Sequence, residues 1–230
     1  MRPHVRPPAP PRVRTYHARR GRLSSADRAA LSTLSERWSL DATGELINPV
    51  DVFGRDAPLV LDVGCGMGES TRAQASADPG ADVVALDVHT RGVAALLRGI
   101  ERDGLTNVRV VLGDAVTFVE QRIPVGVLSG VRIYFPDPWP KARHAKRRLI
   151  QPGFVALLSS RLAFGGFVHC TTDDPDYAKQ MRDVFEAAPS LEVHATVPVN
   201  VGRPVTKFER RAQRLGRPIV DIWVTRTLSP

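Results

Sequence analysis

The chain has little cysteine and few aromatic residues: its 230 residues include two cysteines, and Phe, Tyr and Trp together account for 6%. Cys65 and Cys170 lie far apart, which argues against a disulfide framework and favours free thiols in a reducing compartment. The six histidines have no metal-binding spacing, so no metal site is expected. No apolar run reaches membrane-spanning length, so we expect a cytoplasmic protein.

Acidic residues are absent from residues 1–22, which contain seven arginines and five prolines. These arginines account for most of the formal net charge of +8, so the rest of the chain is close to neutral. Such a segment cannot bury enough apolar surface to order itself, and it lacks the apolar centre of a signal peptide. We therefore predict a disordered basic tail over 1–22, a helical lead-in segment over 23–58 and one main domain over 59–230.

Short apolar runs alternate with amphipathic ones along the main domain. Strands are predicted at 59–63, 83–87, 108–112, 125–135, 166–171, 191–196 and 219–225, and helices at 24–40, 70–77, 91–103, 115–122, 151–163 and 175–187. This alternation predicts an α/β fold with a mostly parallel, seven-stranded sheet and helices on both faces. Residues 197–218, between the last two strands, are rich in Pro, Gly and Arg and leave no room for a helix, so we expect an antiparallel edge pair joined by a long loop.

A glycine-rich turn follows the first predicted strand. Gly64, Gly66 and Gly68 allow a ligand to approach the backbone at the start of a helix, but Glu69 replaces the third glycine of a dinucleotide motif. Asp62 lies at the end of the strand, just before these glycines. Its carboxylate would attract the α-amino group of S-adenosylmethionine and repel a pyrophosphate, which favours S-adenosylmethionine as the cofactor.

Acidic residues also end the next two predicted strands. Asp87 can accept hydrogen bonds from the ribose hydroxyls of an adenosine, although NAD sites use the same arrangement. Asp114 can accept a hydrogen bond from an adenine amino group, while the backbone of Ala115 supplies a donor. Each acid could instead cap the following helix. Three acids at successive strand ends favour a cofactor site.

The stretch Tyr134-Phe135-Pro136-Asp137-Pro138-Trp139-Pro140-Lys141 ends the fourth predicted strand and precedes a basic run. Its prolines restrict the backbone, so the segment is predicted to be a stiff loop that holds Asp137 at the sheet edge. The alternative without a functional role is that Asp137 is only a turn residue between prolines. The basic run over 143–148 is either a solvated face or an RNA-binding surface beside this loop.

Three motifs resemble those of the bacterial tRNA (guanine-N7)-methyltransferase family. They are Leu61-Asp62-Val63-Gly64-Cys65-Gly66-Met67-Gly68, Phe135-Pro136-Asp137-Pro138-Trp139-Pro140-Lys141-Ala142-Arg143-His144 and Thr206-Lys207-Phe208-Glu209-Arg210-Arg211. The resemblance covers roughly residues 45–226. It implies a Rossmann-like class I methyltransferase fold, S-adenosylmethionine as cofactor, and tRNA as partner, methylated at guanosine 46 of the variable loop. A monomer or weak homodimer is expected.

The resemblance also implies residue roles. Cofactor contacts fall to Asp62, Asp87, Asp114 and Asp137, of which Asp137 is also the expected catalytic residue, and the glycine turn and Ala115 complete the cofactor set. Substrate contacts are expected for Lys141, Asp173, Thr206, Lys207, Phe208 and Glu209, and RNA contacts for Arg143, His144, Lys146, Arg147 and Arg148. Asp62, Cys65, Ala212 and Arg217 depart from the usual Glu, aromatic residue, Gly and His of the family.

Guanine N7 has an available lone pair and no proton to lose, so its methylation needs in-line positioning more than a general base. Asp137 could stabilise the positive charge as it moves to the purine. The alternatives are an adenine-N6 methyltransferase of RNA or DNA, a non-catalytic RNA-binding protein with a relic methyltransferase fold, and an NAD oxidoreductase. The loop Asp137-Pro138-Trp139-Pro140 lacks the adjacent proline pair of the adenine-N6 enzymes. The intact Asp62, Asp87, Asp114 and Asp137 argue against a relic fold, and the lack of a catalytic Tyr-Lys or His pair argues against an oxidoreductase.

Overall fold

The computed structural model describes residues 13–16, 22–198 and 203–227, so most of the predicted disordered tail over 1–22 lies outside the described residues. Eight strands form one sheet. They are β1 Ser39–Leu40, β2 Leu59–Val63, β3 Asp82–Asp87, β4 Val108–Leu112, β5 Leu128–Tyr134, β6 Leu162–Thr172, β7 Leu191–His194 and β8 Val220–Arg226. Their order across the sheet is β1-β4-β3-β2-β5-β6-β8-β7.

The sheet has the predicted mixed character. Pairings from β1 across to β6 are parallel, and β8 pairs antiparallel with both β6 and β7. The prediction of a mostly parallel sheet with an antiparallel edge pair is therefore confirmed. The additional strand is β1, a two-residue strand at the end of the first predicted helix, where Ser39 and Leu40 pair with Val110 and Val111.

Eight α-helices and one 3-10 helix are found among the described residues. The α-helices are α1 Ser25–Trp38, α2 Pro49–Phe53, α3 Glu69–Ala77, α4 Thr90–Asp103, α5 Ala115–Arg122, α6 Pro152–Arg161, α7 Pro175–Glu186 and α8 Lys207–Arg214, and the 3-10 helix covers Ala142–Arg147. No helix in these ranges is long and apolar enough to cross a membrane.

Helix α8 lies where we expected only a loop. It has no apolar stripe, because five of its eight residues are charged and only Glu209 and Ala212 are buried. The sequence does carry a start signal, since the Thr206 side chain caps the helix by accepting a hydrogen bond from the Glu209 backbone N–H at 3.1 Å. A Thr followed three residues later by Glu is typical of a helix N-terminus.

Apolar side chains pack against both faces of the sheet. Successive residues of β3 point to opposite faces of the sheet. Val84 and Leu86 join a buried cluster with Phe118 on one face, and Val83 and Ala85 join a cluster with Leu96 on the other. Each fully buried Leu or Phe contributes about 1.5–3 kcal/mol, which fixes the strands within the fold. The strand order changes direction between β2 and β5, and open α/β sheets bind ligands at such a point.

Candidate active site

A cavity of about 820 Å³ opens at the carboxyl ends of β2, β3, β4 and β5. Its size falls within the range of small-molecule sites. Eight of the thirteen residues predicted to contact cofactor or substrate lie on its wall: Gly64, Gly66, Asp87, Asp114, Ala115, Asp137, Lys207 and Phe208. The sheet therefore brings together residues that are separated by up to about 140 positions in the sequence.

The glycine turn leaves open space beside the backbone. Gly64 and Gly66 have φ angles of 76° and 58°, which favour glycine, and a Cβ at either position would meet no atom within 4 Å. The Asp87 carboxylate fixes the turn, since it accepts hydrogen bonds from the backbone N–H groups of Gly66 at 2.8 Å and His89 at 2.7 Å. Asp87 thus orders the turn as well as lining the cavity.

Asp62 lies behind the turn, at an adjoining cavity of about 50 Å³. It is 3% exposed and accepts a hydrogen bond from the Thr71 hydroxyl at 2.6 Å. Burial raises the pKa of this carboxyl above its ordinary value, although the Thr71 hydrogen bond and the charge of Arg132 act in the opposite direction. A carboxylate held out of water in this way gains by meeting a cation.

Asp114 caps helix α5, because its side chain accepts hydrogen bonds from the Thr117 backbone N–H at 3.0 Å and the Thr117 hydroxyl at 3.1 Å. Asp114 and Ala115 also line the large cavity. The cofactor and capping interpretations are therefore compatible, since a carboxylate has more than one lone pair with which to accept.

The loop that carries Asp137 has a strained and well-anchored backbone. Phe135 and Trp139, two residues on either side of Asp137, have positive φ angles of 51° and 45°, which cost side-chain-bearing residues roughly 1–3 kcal/mol each. The backbone N–H of Phe135 donates to the Thr171 carbonyl at 2.7 Å, and the Arg148 side chain donates to the Pro138 carbonyl at 2.7 Å. These bonds hold Asp137 on the cavity wall.

The basic run divides into buried and exposed members. Arg148, which we expected to bind RNA, is only 7% exposed; it donates to Pro138 and to the Gln180 side chain, and its guanidinium lies over the Tyr177 ring. The RNA contact of Arg148 stays a prediction, and in this structure its guanidinium is engaged by these partners and supports the Asp137 loop. Arg147 and His144 are half-buried against Trp139, whereas Arg143 and Lys146 are exposed.

The predicted substrate residues lie at different distances from the cavity. Thr206 lines the small cavity, and Lys207 and Phe208 line both cavities. Glu209 is 8% exposed and pairs through both carboxylate oxygens with Arg203, and its predicted contact with the substrate stays a prediction. Lys141 is exposed, Asp173 pairs with Arg217 at 3.0 Å, and neither lines the two cavities.

Two features of the site were missed in the sequence. Thr15 and Tyr16, within the predicted disordered tail, line the large cavity, and the Trp139 indole N–H donates to the Thr15 carbonyl at 3.2 Å. Gly92 in α4 approaches the glycine turn so closely that a Cβ there would lie 2.4 Å from the Gly66 carbonyl oxygen. The polar tail gave no signal of its contact, while a glycine inside a predicted helix was a usable signal of close packing.

We expect Gly92→Ala to weaken binding of S-adenosylmethionine about 5- to 150-fold, because the new methyl group must displace the Gly66 backbone, and such overpacking typically costs about 1–3 kcal/mol. Isothermal titration calorimetry measures the affinity. Gly153→Ala is the control, since it also lies in a helix and its Cβ would meet no atom within 4 Å. Equal affinities for the two variants would contradict a role of Gly92 in shaping the turn.

Removal of residues 1–16 is expected to weaken cofactor binding about two- to tenfold, the value of one hydrogen bond, because it deletes the Thr15 carbonyl that accepts from Trp139. A protein that lacks only residues 1–12 keeps Thr15 and Tyr16 and is expected to bind like the full chain. Calorimetry on the three proteins tests this. A loss of affinity already complete after removal of residues 1–12 would contradict the assignment to Thr15 and Tyr16.

Comparisons with known proteins show the family and the fold to which the chain is similar. Residues 56–222 match the model of a family described as "Putative methyltransferase". The chain is 45% identical over 212 residues to a tRNA (guanine-N(7)-)-methyltransferase of Nitrosospira multiformis, covering 91% of this chain and 93% of that protein. It is 47% identical over 213 residues to the protein of that name from Paraburkholderia xenovorans, covering 92% and 82%. The solved 16S rRNA methyltransferase KamB shares the fold, with a TM-score of 0.57 and 17% identity over 81% of this chain and 96% of that one.

Proposed function

Because the chain belongs to the tRNA (guanine-N(7)-)-methyltransferase family, we propose that the large cavity and the Asp137 loop carry out this reaction on guanosine 46 of the tRNA variable loop. The enzyme transfers a methyl group from S-adenosylmethionine to N7 of guanine in tRNA, forming 7-methylguanosine. Membership of this family sets aside the adenine-N6, relic and dinucleotide alternatives. The choice of position 46 and the residue roles below are our proposal.

The residues around the glycine turn fit S-adenosylmethionine, which supplies a methyl group activated by a sulfonium. The open space beside Gly64 and Gly66 accommodates a ligand close to the backbone. Asp62 offers a buried carboxylate to the α-amino group, Asp87 to the ribose hydroxyls, and Asp114 with the Ala115 backbone to the adenine. These acids meet the ligand's hydrogen-bond donors and its cationic amino group.

The observation that carries the proposal is the position of Asp137, which shares the cavity wall with Asp87 and Asp114. Its loop is held by anchored neighbours, so the carboxylate keeps its place with little reorganisation. A preorganised negative charge stabilises the positive charge that develops on the guanine, and it can accept hydrogen bonds from the N1 and N2 groups of that base. No group has to remove a proton from N7.

The surface beside this loop supports RNA binding. Lys141, Arg143 and Lys146 are exposed on or before the 3-10 helix that follows the loop, where they can pair with phosphates. Phe208 is 44% exposed at the cavity and offers an aromatic ring to an unstacked base. We expect a cytoplasmic location, since tRNA is modified there, and activity without a metal.

Mapping of the methylated nucleoside tests the proposal. A tRNA transcript with guanosine at position 46 and a matched transcript with adenosine there are incubated with the purified protein and S-adenosylmethionine, and 7-methylguanosine is located by mass spectrometry of RNase fragments. We expect product at position 46 of the first transcript and none in the second. Product at another guanosine would contradict the position, and no product in either would contradict the activity of the site.

A further inference from the structure

One half of the sheet carries polar side chains where the other half carries apolar ones. On the face that packs against α3, the strands β5, β6 and β8 present Tyr134, His169 and Asp221, whereas β3 presents Val83 and Ala85. His169 is 1% exposed, so this is a buried polar cluster and not a solvated surface. A buried polar cluster is costly unless its members are hydrogen-bonded to one another.

The polar side chains form a continuous chain of hydrogen bonds. The Gln74 amide donates to the Tyr134 hydroxyl at 3.2 Å, and that hydroxyl lies 3.1 Å from His169 Nδ1. His169 Nε2 lies 2.8 Å from Asp221 Oδ1, which also accepts from the Thr171 hydroxyl at 2.6 Å. One neutral histidine tautomer satisfies all of these bonds, with Tyr134 donating to Nδ1 and Nε2–H donating to Asp221.

Arg203 continues this chain to helix α8. Its guanidinium lies 3.3 Å from Asp221 and pairs through two nitrogens with both carboxylate oxygens of Glu209. Burial opposes ionisation of Asp221, but the hydrogen bonds from His169 and Thr171 and the charge of Arg203 outweigh it and lower its pKa to about 2. One guanidinium therefore ties a strand of the sheet to the buried carboxylate of the helix.

The same guanidinium also contacts the strand that leads into the Asp137 loop. It lies 5.6 Å from the centre of the Tyr134 ring and 5.9 Å from that of Phe135. The Phe135 ring in turn stacks on the Phe208 ring, with 6.2 Å between the ring centres. Arg203 thus joins the end of β5 to the start of helix α8, which bears Lys207 and Phe208, and both segments line the cavity.

We propose that Arg203 is a positioning residue for methyl transfer: through Glu209 it holds the start of helix α8, Thr206–Phe208, against the Asp137 loop, and Asp221 fixes its own orientation. The proposal rests on the proposed function of the cavity. Glu209 then acts through Arg203, since the ion pair already engages both of its oxygens. A planar, bidentate guanidinium suits this task better than the single ammonium of lysine.

The test compares Arg203→Met, Arg203→Lys, Glu209→Gln and the double variant Arg203→Met/Glu209→Gln with the wild type. Methylation of a tRNA transcript is followed in single turnover at saturating cofactor and tRNA. We expect Arg203→Met to lower the rate about 10- to 100-fold, because a displacement of the start of α8 by about 1 Å disturbs the reactive geometry. Arg203→Lys is expected to recover part of that loss, and the double variant should be no slower than Arg203→Met, because both changes break one interaction.

Hydrogen exchange separates positioning from general destabilisation. Amides of residues 207–214 are expected to exchange faster in Arg203→Met, while those of β2 and β5 keep the wild-type rates. Arg37→Met is the control, because it removes an arginine from an exposed pair with Glu101 outside both cavities, and its methylation rate should not change.

A single-turnover rate for Arg203→Met within about twofold of the wild type, or losses that multiply in the double variant, would overturn the proposal. Faster exchange throughout the sheet would also overturn it, since Arg203 would then support the whole fold. A wild-type protein that forms no 7-methylguanosine contradicts the proposed function itself. An active wild type with an undiminished Arg203→Met contradicts only the positioning role.

Discussion

Asp137→Ala is expected to lower the single-turnover rate of methyl transfer about 10²- to 10³-fold, the usual loss when one preorganised electrostatic contact is removed. The structure favours a clean effect. The loop is anchored through Phe135 and through the Pro138 carbonyl, so the substitution removes the carboxylate and leaves the backbone in place. Binding of S-adenosylmethionine alone should change much less than the rate.

Rapid-quench assays at saturating substrates measure the rate, and thermal unfolding checks the fold. Asp56→Ala is the matched control, since Asp56 is an exposed aspartate before β2 and lies outside both cavities. Asp137→Asn adds a second comparison, because it keeps the shape of the side chain and removes its charge. A rate for Asp137→Ala within about threefold of the control would contradict the electrostatic role.

Asp62→Asn is expected to weaken S-adenosylmethionine binding about 10- to 100-fold, which corresponds to the loss of one charge-assisted hydrogen bond. The asparagine oxygen can still accept from Thr71, so the change removes the charge with little loss of packing. Titration with the demethylated product, S-adenosylhomocysteine, locates the partner of the carboxylate. Equal losses for both ligands indicate the α-amino group that they share, and unchanged affinities would contradict the assignment of Asp62.

The same variant is expected to make the ligand-free protein more stable at neutral pH. Burial raises the pKa of Asp62 in the folded state, so the folded protein holds this proton more tightly than the unfolded chain does. Stability is therefore lost as the pH rises through the raised pKa, and asparagine avoids that loss. The difference in Tm should shrink as the pH falls below about 3.9, the ordinary aspartate pKa, because the carboxyl then becomes neutral in both states. A lower Tm for Asp62→Asn at pH 7 would contradict this.

The sequence alone determined the class of the fold and predicted a cofactor site at one edge of the sheet. Apolar strands alternate with amphipathic helices along the chain, and this alternation indicated a parallel sheet. The residues at or just after the strand ends include Asp62, Asp87 and Asp114. Parallel strands place their carboxyl ends at one edge of a sheet, so positions along the chain were enough to predict that these acids lie around one site. The three family motifs supplied the reaction.

Only the tertiary structure decided which charged residues face inwards. Arg143, Lys146 and Arg148 belong to one basic run. Arg148 is buried against Gln180 and Tyr177, whereas Arg143 and Lys146 remain exposed. Glu209 likewise lies in a highly charged segment and is buried on Arg203. A run of charges has no apolar period, so nothing in the run itself records which side chain another element will cover.

Long-range contacts decided the remaining features of the site. Trp139 bonds to Thr15, which is 124 residues away, and Arg203 reaches Asp221 on a strand that only the folded sheet brings beside His169. Sequence patterns report the period and the ends of elements, because these depend on neighbouring residues. The partner of a polar side chain depends on the packing of distant segments, and for that reason Thr15, Tyr16 and the Arg203 ion pair became visible only in three dimensions.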